Sequence, residues 1–160
     1  GLAWQGRPVL GVIDQPVMDE RFTGSARGAF LNGAPISTRA CARVEDAVLA
    51  ATDPAMFAAP AARAAFESLR RRAAVTQFGG NCYAYAMLAA GHVDAVMEAD
   101  LKPWDVCALV PGVEAAGGVV TAWDGGPALG ASAIIACGDA ALHDAILPLL
   151  SGAAPSRERN

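Results

Sequence analysis

Glu98, Asp100 and Asp105 place three carboxylates within eight residues, with Lys102 among them. Carboxylate oxygens suit Mg²⁺, which also takes phosphate oxygens and retains several of its waters. Upstream lies Gly79-Gly80-Asn81. Paired glycines let a backbone approach a ligand closely, and a helix starting just after them turns free N–H groups toward an anion. Each feature also has a plainer reading. Asp105 would serve as a helix cap or first-turn acid, favoured there by the helix dipole. Gly79-Gly80-Asn81 would serve as a tight strand-to-helix turn.

Little else in the chain suggests chemistry. Cys41, Cys82, Cys107 and Cys137 are scattered without a CxxC pair, so zinc is not indicated and the thiols are expected reduced and mostly in the core. His92 falls at a helix-to-strand turn and His143 on an expected surface helix, neither with a partner that spacing identifies. There is no nucleophile elbow, phosphate loop of the Walker type or dinucleotide fingerprint. Arg70-Arg71-Arg72 reads as a solvated helix end. The net charge of −4 disfavours nucleic acid as a partner. No apolar run approaches the roughly 20 residues of a membrane span, and no charged segment followed by an apolar one marks a signal peptide. These features lead us to expect a cytoplasmic protein with no membrane partner.

The elements that must position the two loops follow from patterning. Val9 to Ile13, Arg21 to Gly24 and Gly28 to Leu31 read as short strands, with an Asn32-Gly33 turn before extended Pro35 to Thr38. Residues 1–40 are therefore expected to form an antiparallel meander. From Ala47 strands alternate with helices: strand to Thr52, helix Ala61 to Arg72, strand Val75 to Phe78, helix Cys82 to Ala90, strand Val93 to Glu98. A helix Trp104 to Ala116, strands Val119 to Trp123 and Ser132 to Cys137, and a helix from Asp139 to about Leu150 follow. This alternation predicts an α/β domain over 41–151 with a mostly parallel sheet, then a frayed tail over 152–160. Ligands of such sheets bind beyond the carboxyl ends of the strands, which singles out Gly79 to Asn81 and Glu98 to Asp105.

Three blocks carry a resemblance. "WDVCALVPGVEAAGG" resembles the second signature of the inositol monophosphatase family, Trp-Asp-x-x-Ala followed by an apolar helix and Glu-Ala-(Gly/Ala)-Gly. "RGAFLNGAPI" is similar to its Gly-Ala-Phe-x-Asn-Gly hairpin, and "GHVDAVMEA" to its Gly-x-x-Asp-Ala strand ending in a glutamate. Their order and spacing match over nearly the whole chain. "GGNCYAY" and "EADLKPWD" look most like the histidinol-phosphatase-like branch.

The resemblance implies the C-terminal part of the family's layered α-β-α-β-α sandwich, with residues 1–40 belonging to a first sheet. It implies Mg²⁺-dependent hydrolysis of a phosphate monoester, with Asp105 as a metal ligand on the leaving-group side. Glu98 would bind the leaving group, and Gly80, Asn81 and Cys82 would line the substrate pocket. The implied substrate is small: L-histidinol phosphate, whose cation suits a carboxylate, or inositol 1-phosphate or another sugar phosphate. A homodimer is implied for a complete protein. The family's Asp-Pro-(Ile/Val/Leu)-Asp-Gly-Thr signature and upstream Glu-Glu pair are absent from this sequence, which starts at Gly1. Processing, or excision from a longer protein, would give such a start. With those ligands absent, the chain alone is expected to be inactive, with open strand edges near Val9 to Leu31. The remaining alternative is a binding or dimerisation remnant without catalysis.

Overall fold

The computed structural model describes residues 1–154; the rest of the expected tail, residues 155–160, lies outside the described residues. The meander forms as expected. Strands β1 (Leu2–Trp4), β2 (Arg7–Gln15), β3 (Glu20–Ser25), β4 (Gly28–Leu31) and β5 (Ala34–Pro35) are antiparallel neighbours in sequence order. Asn32 and Gly33 both take positive φ, 49° and 81°, as a two-residue hairpin turn requires. The open edges are narrower than expected. β2, β3 and β4 each have neighbours on both sides; Gly11 to Gln15 of β2 extend past β1, Glu20 and Arg21 of β3 past β4, and Gly28 and Ala29 of β4 past β5.

The second sheet has the order β7–β6–β8–β10–β9, built from β6 (Val48–Ala51), β7 (Val75–Phe78), β8 (Ala95–Ala99), β9 (Val119–Ala122) and β10 (Ala133–Cys137). It is mixed, which corrects the expectation of a mostly parallel sheet. β6 runs parallel to β7 and β8, whereas β10 runs antiparallel to both β8 and β9. The reason lies in the link over residues 123–132, which contains no helix. A parallel crossover needs a dozen or more residues and usually a helix, so this short link returns as a hairpin.

Among the described residues five α-helices complete the layers: α1 (Pro60–Arg72), α2 (Cys82–Ala89), α3 (Pro103–Val106), α4 (Leu109–Ala115) and α5 (Ala140–Leu150). α2 and α4 lie between the two sheets, and one apolar cluster runs from Ile13 and Phe22 through them to Val96 and Ile134. α1 and α5 cover the other face, where Phe66, Leu69, Leu142 and Ile146 pack on Leu49, Met97 and Ile135. The described residues thus form β-α-β-α layers of the expected sandwich. Leu10 and Val12 of the first sheet remain 41% and 45% exposed.

The expected single helix Trp104 to Ala116 is interrupted at Cys107 and Ala108. Pro111 is the cause: it has no N–H for the Cys107 carbonyl, and its ring crowds that oxygen. At the other end Gly117 adopts φ +102° and Gly118 donates its N–H to the Val113 carbonyl at 2.9 Å, so the two glycines close α4. Glycine serves a second purpose where α4 meets the first sheet. A Cβ on Gly24 would lie 2.3 Å from the Gly112 Cα, and one on Gly11 would lie 1.9 Å from the Ala108 carbonyl oxygen. Backbone meets backbone there.

Three side-chain placements differ from expectation. Of the four thiols only Cys137 is buried; Cys41 and Cys107 are half-buried and Cys82 is exposed. The supposedly frayed start of the tail is ordered against the core, with Ala153 and Ala154 packed on the α1–α5 cluster. His143 does not face solvent. It is 5% exposed and its Nε2 lies 2.8 Å from the Thr121 hydroxyl, because α5 lays this side chain on the sheet. Burial holds its pKa below the usual value, with Asp144 opposing. The unfolded chain therefore binds the proton more readily than the native one. Stability should be at its full value above about pH 6.5, the unfolded histidine value, and fall as pH drops below it. Urea melts between pH 7 and 5 should show this slope, and His143→Gln should flatten it; an unchanged slope would contradict the neutral, buried assignment.

Candidate functional site

Because β6, β7 and β8 are parallel, their carboxyl ends share one edge of the sheet. Thr52 follows β6, Gly79 follows β7, and Glu98 is the penultimate residue of β8. Glu98 is 4% exposed. Its Oε2 accepts a hydrogen bond from the Tyr85 hydroxyl at 2.9 Å and its Oε1 accepts one from the Thr52 hydroxyl. Each carboxylate oxygen has two lone pairs, so acceptor capacity remains. Tyr85 is itself fully buried, and burial together with the adjacent Glu98 pushes its phenol well above the usual range. It therefore acts as a donor.

The Gly79–Cys82 loop is tied to the same point. Gly79 donates its N–H to the Thr52 carbonyl at 2.9 Å. Gly79 and Asn81 take positive φ, 87° and 46°, which turns the chain sharply into α2. A Cβ on Gly80 would lie 2.8 Å from the Ala84 Cβ, so this glycine lets the helix start close to the turn. The Asn81 side chain makes no cap hydrogen bond, and both Asn81 and Cys82 are exposed. From the first turn of α2 the Tyr83 hydroxyl reaches Glu20 at 2.5 Å, joining the site loop to the β2–β3 hairpin.

Asp105 sits in the first turn of α3 and caps it. Its Oδ2 accepts the Lys102 N–H at 2.8 Å, and its own N–H donates to the Lys102 carbonyl at 2.9 Å. The residue is exposed, and among the described residues its other oxygen has no hydrogen-bond partner. Asp100 is exposed with φ 58° in the turn leading to it. No hydrogen bond joins Asp105 to Glu98 or to Gly80–Cys82; they share only the sheet edge.

Among the described residues there is no group of three or more His, Cys, Asp or Glu side chains that could hold a metal ion. Mg²⁺ demands a near-octahedral set of oxygens, part of it water. One open oxygen on Asp105 does not make that set among the described residues.

Sequence reasoning reached Glu98, Asp105 and the glycine loop but passed over Thr52 and Tyr85. A signal existed for Tyr85: a tyrosine on the apolar run Cys82 to Ala89 must find a partner for its hydroxyl once buried. It also passed over Asp94, whose fully buried carboxylate is clasped by Arg39 at 2.7 and 2.6 Å and accepts the Val48 N–H at 2.7 Å.

The profile of the inositol monophosphatase family matches residues 1–153, and the chain belongs to that family. It is 41% identical to the bifunctional phosphatase IMPL2, chloroplastic, of Arabidopsis thaliana, over 93% of this chain and 46% of the relative. It is 30% identical to a histidinol-phosphatase of Chlorobaculum parvum, over 71% of this chain and 44% of the relative. A solved structure of an inositol monophosphatase from Zymomonas mobilis superposes with a TM-score of 0.85 at 39% identity, over 91% of this chain and 58% of that one. The chain thus spans about half the length of the curated relatives it matches. Among the described residues no helix is long and apolar enough to cross a membrane.

Proposed function

We propose that this chain is the C-terminal part of a Mg²⁺-dependent phosphate monoesterase that hydrolyses L-histidinol phosphate. Asp105 is then one metal ligand, and the other ligands come from residues outside this sequence, so the chain alone is inactive. Gly80, Asn81 and Cys82 line the substrate pocket, and Glu98 meets the leaving group. The observation that carries the substrate choice is the setting of Glu98. Two neutral hydroxyls hold its carboxylate, and among the described residues no lysine, arginine or histidine pairs with it. A buried carboxylate without a cation favours a ligand that brings one, as histidinol does and a neutral polyol does not. The name of the Chlorobaculum relative, a histidinol-phosphatase, agrees with this reading.

The rival substrate is inositol 1-phosphate, supported by the likeness to the Zymomonas inositol monophosphatase. Steady-state kinetics of the complete protein separate the two. The expected result is a kcat/KM for histidinol phosphate about 100-fold or more above that for inositol 1-phosphate, the contrast a site built around a specific polar contact can reach. Equal values, or the reverse order, would assign the site to polyol phosphates.

A further inference from the structure

Asp94, just before β8, and Glu98, within it, lie four residues apart and are satisfied in opposite ways. Asp94 is neutralised by the two-pronged contact of Arg39. Glu98 is held by Thr52 and Tyr85, which donate hydrogen bonds and bring no charge. An arginine at Glu98 would satisfy its oxygens equally well but would cancel its attraction for a cation. Neutral donors fix the carboxylate in place and leave its negative charge for the ligand.

We propose that Tyr85 and Thr52 are positioning residues that determine specificity: they aim the Glu98 carboxylate at the substrate and make the pocket select a cationic leaving group. The inference rests on the reading of Glu98 as the leaving-group contact. Three features of the fold converge on it. Tyr85 is fully buried and its hydroxyl meets Glu98. Thr52 bonds Glu98 through its side chain and the pocket loop through its carbonyl. Tyr85 lies on the helix that this loop begins. Loop, helix and carboxylate are thereby fixed relative to one another, so a pocket lined by Gly80, Asn81 and Cys82 has a set distance to the charge.

The test uses the complete protein with histidinol phosphate and inositol 1-phosphate, and the variants Glu98→Gln, Tyr85→Phe, Thr52→Val and Thr52→Ser. Tyr85→Phe and Thr52→Val should each raise KM for histidinol phosphate about tenfold, the effect of losing one hydrogen bond to a charged group. They should leave kcat within about twofold and KM for inositol 1-phosphate nearly unchanged, because a merely structural lesion would impair both substrates alike. Thr52→Ser keeps the donor and should keep the wild-type KM. Adding Tyr85→Phe to Glu98→Gln should cost nothing further, since both act through one carboxylate. If Glu98→Gln affects the two substrates equally, the reading of Glu98 falls and the inference with it. If Glu98→Gln is selective but Tyr85→Phe and Thr52→Val are not, the inference alone is overturned. Should Tyr85→Phe fail to fold, the contrast between Thr52→Val and Thr52→Ser decides the matter by itself.

Discussion

Asp105→Asn in the complete protein should lower kcat/KM by about 100-fold or more while leaving the fold nearly unchanged; disturbing only the outer shell of a metal site already costs about 10–100-fold. The two readings of Asp105 can be separated because the structure uses its two oxygens differently. Oδ2 accepts the Lys102 N–H, and the other oxygen is open. Asparagine keeps one oxygen for that N–H and loses the negative charge. Asp105→Ala loses both, and should cost about 1 kcal/mol of stability from the lost cap in addition to the activity. Mg²⁺ titration by calorimetry gives a readout independent of turnover: binding should weaken in Asp105→Asn and Asp105→Ala alike. Wild-type Mg²⁺ affinity and turnover in Asp105→Asn would reduce the residue to a helix cap.

Gly24→Ala should be among the most damaging single methyls in the chain, although its backbone is not left-handed. Its Cβ would stand 2.3 Å from the Gly112 Cα, 2.4 Å from the Gly112 nitrogen and 2.5 Å from the Pro111 carbonyl oxygen. None of these atoms can rotate away, so α4 must move off the first sheet. Overpacking costs typically about 1–3 kcal/mol, and contact with helix backbone places this site at the upper end. A loss of about 3 kcal/mol corresponds to a fall of roughly 6–12 °C in Tm for a domain of this size. Gly33→Ala is the control. It has φ +81° but nothing within 4 Å of the added atom, so only the left-handed conformation is penalised, about 1–2 kcal/mol. Equal melting temperatures for the two variants would show that the sheet and α4 can separate freely. Because α4 continues from the turn of α3 that carries Asp105, Gly24→Ala should also depress activity in the complete protein.

Much of the fold was legible along the chain because its determinants are local. Asn32-Gly33 fixed a hairpin through its two positive φ angles, Gly91 with φ +80° closed α2, and Asp139 capped α5 by accepting the Ala141 N–H at 2.8 Å. The family blocks singled out Glu98, Gly80, Asn81, Cys82 and Asp105 as candidates, since spacing along one strand, one turn and one helix start is a property of sequence. Strand direction was legible only in part, since Val119 to Trp123 and Ser132 to Cys137 already read as consecutive strands. Alternating strands and helices implied parallel pairing, and only the helix-free link over 123–132 reverses β10.

Partnerships across the fold were also hidden. Thr52 and Glu98 are 46 positions apart, as are Val48 and Asp94, and Arg39 and Asp94 are 55 apart. No local pattern announces such pairs, because they arise only when the fold brings distant segments together. His143 was misplaced for the same reason: its helix is apolar on more than one side, and only packing on the sheet decides which face is buried. The sequence by itself determined which residues could do chemistry and at which strand ends they stand. The tertiary structure alone decided which acid is paired with an arginine and which is held between two hydroxyls, because burial and partner identity are set by contacts between elements rather than within them.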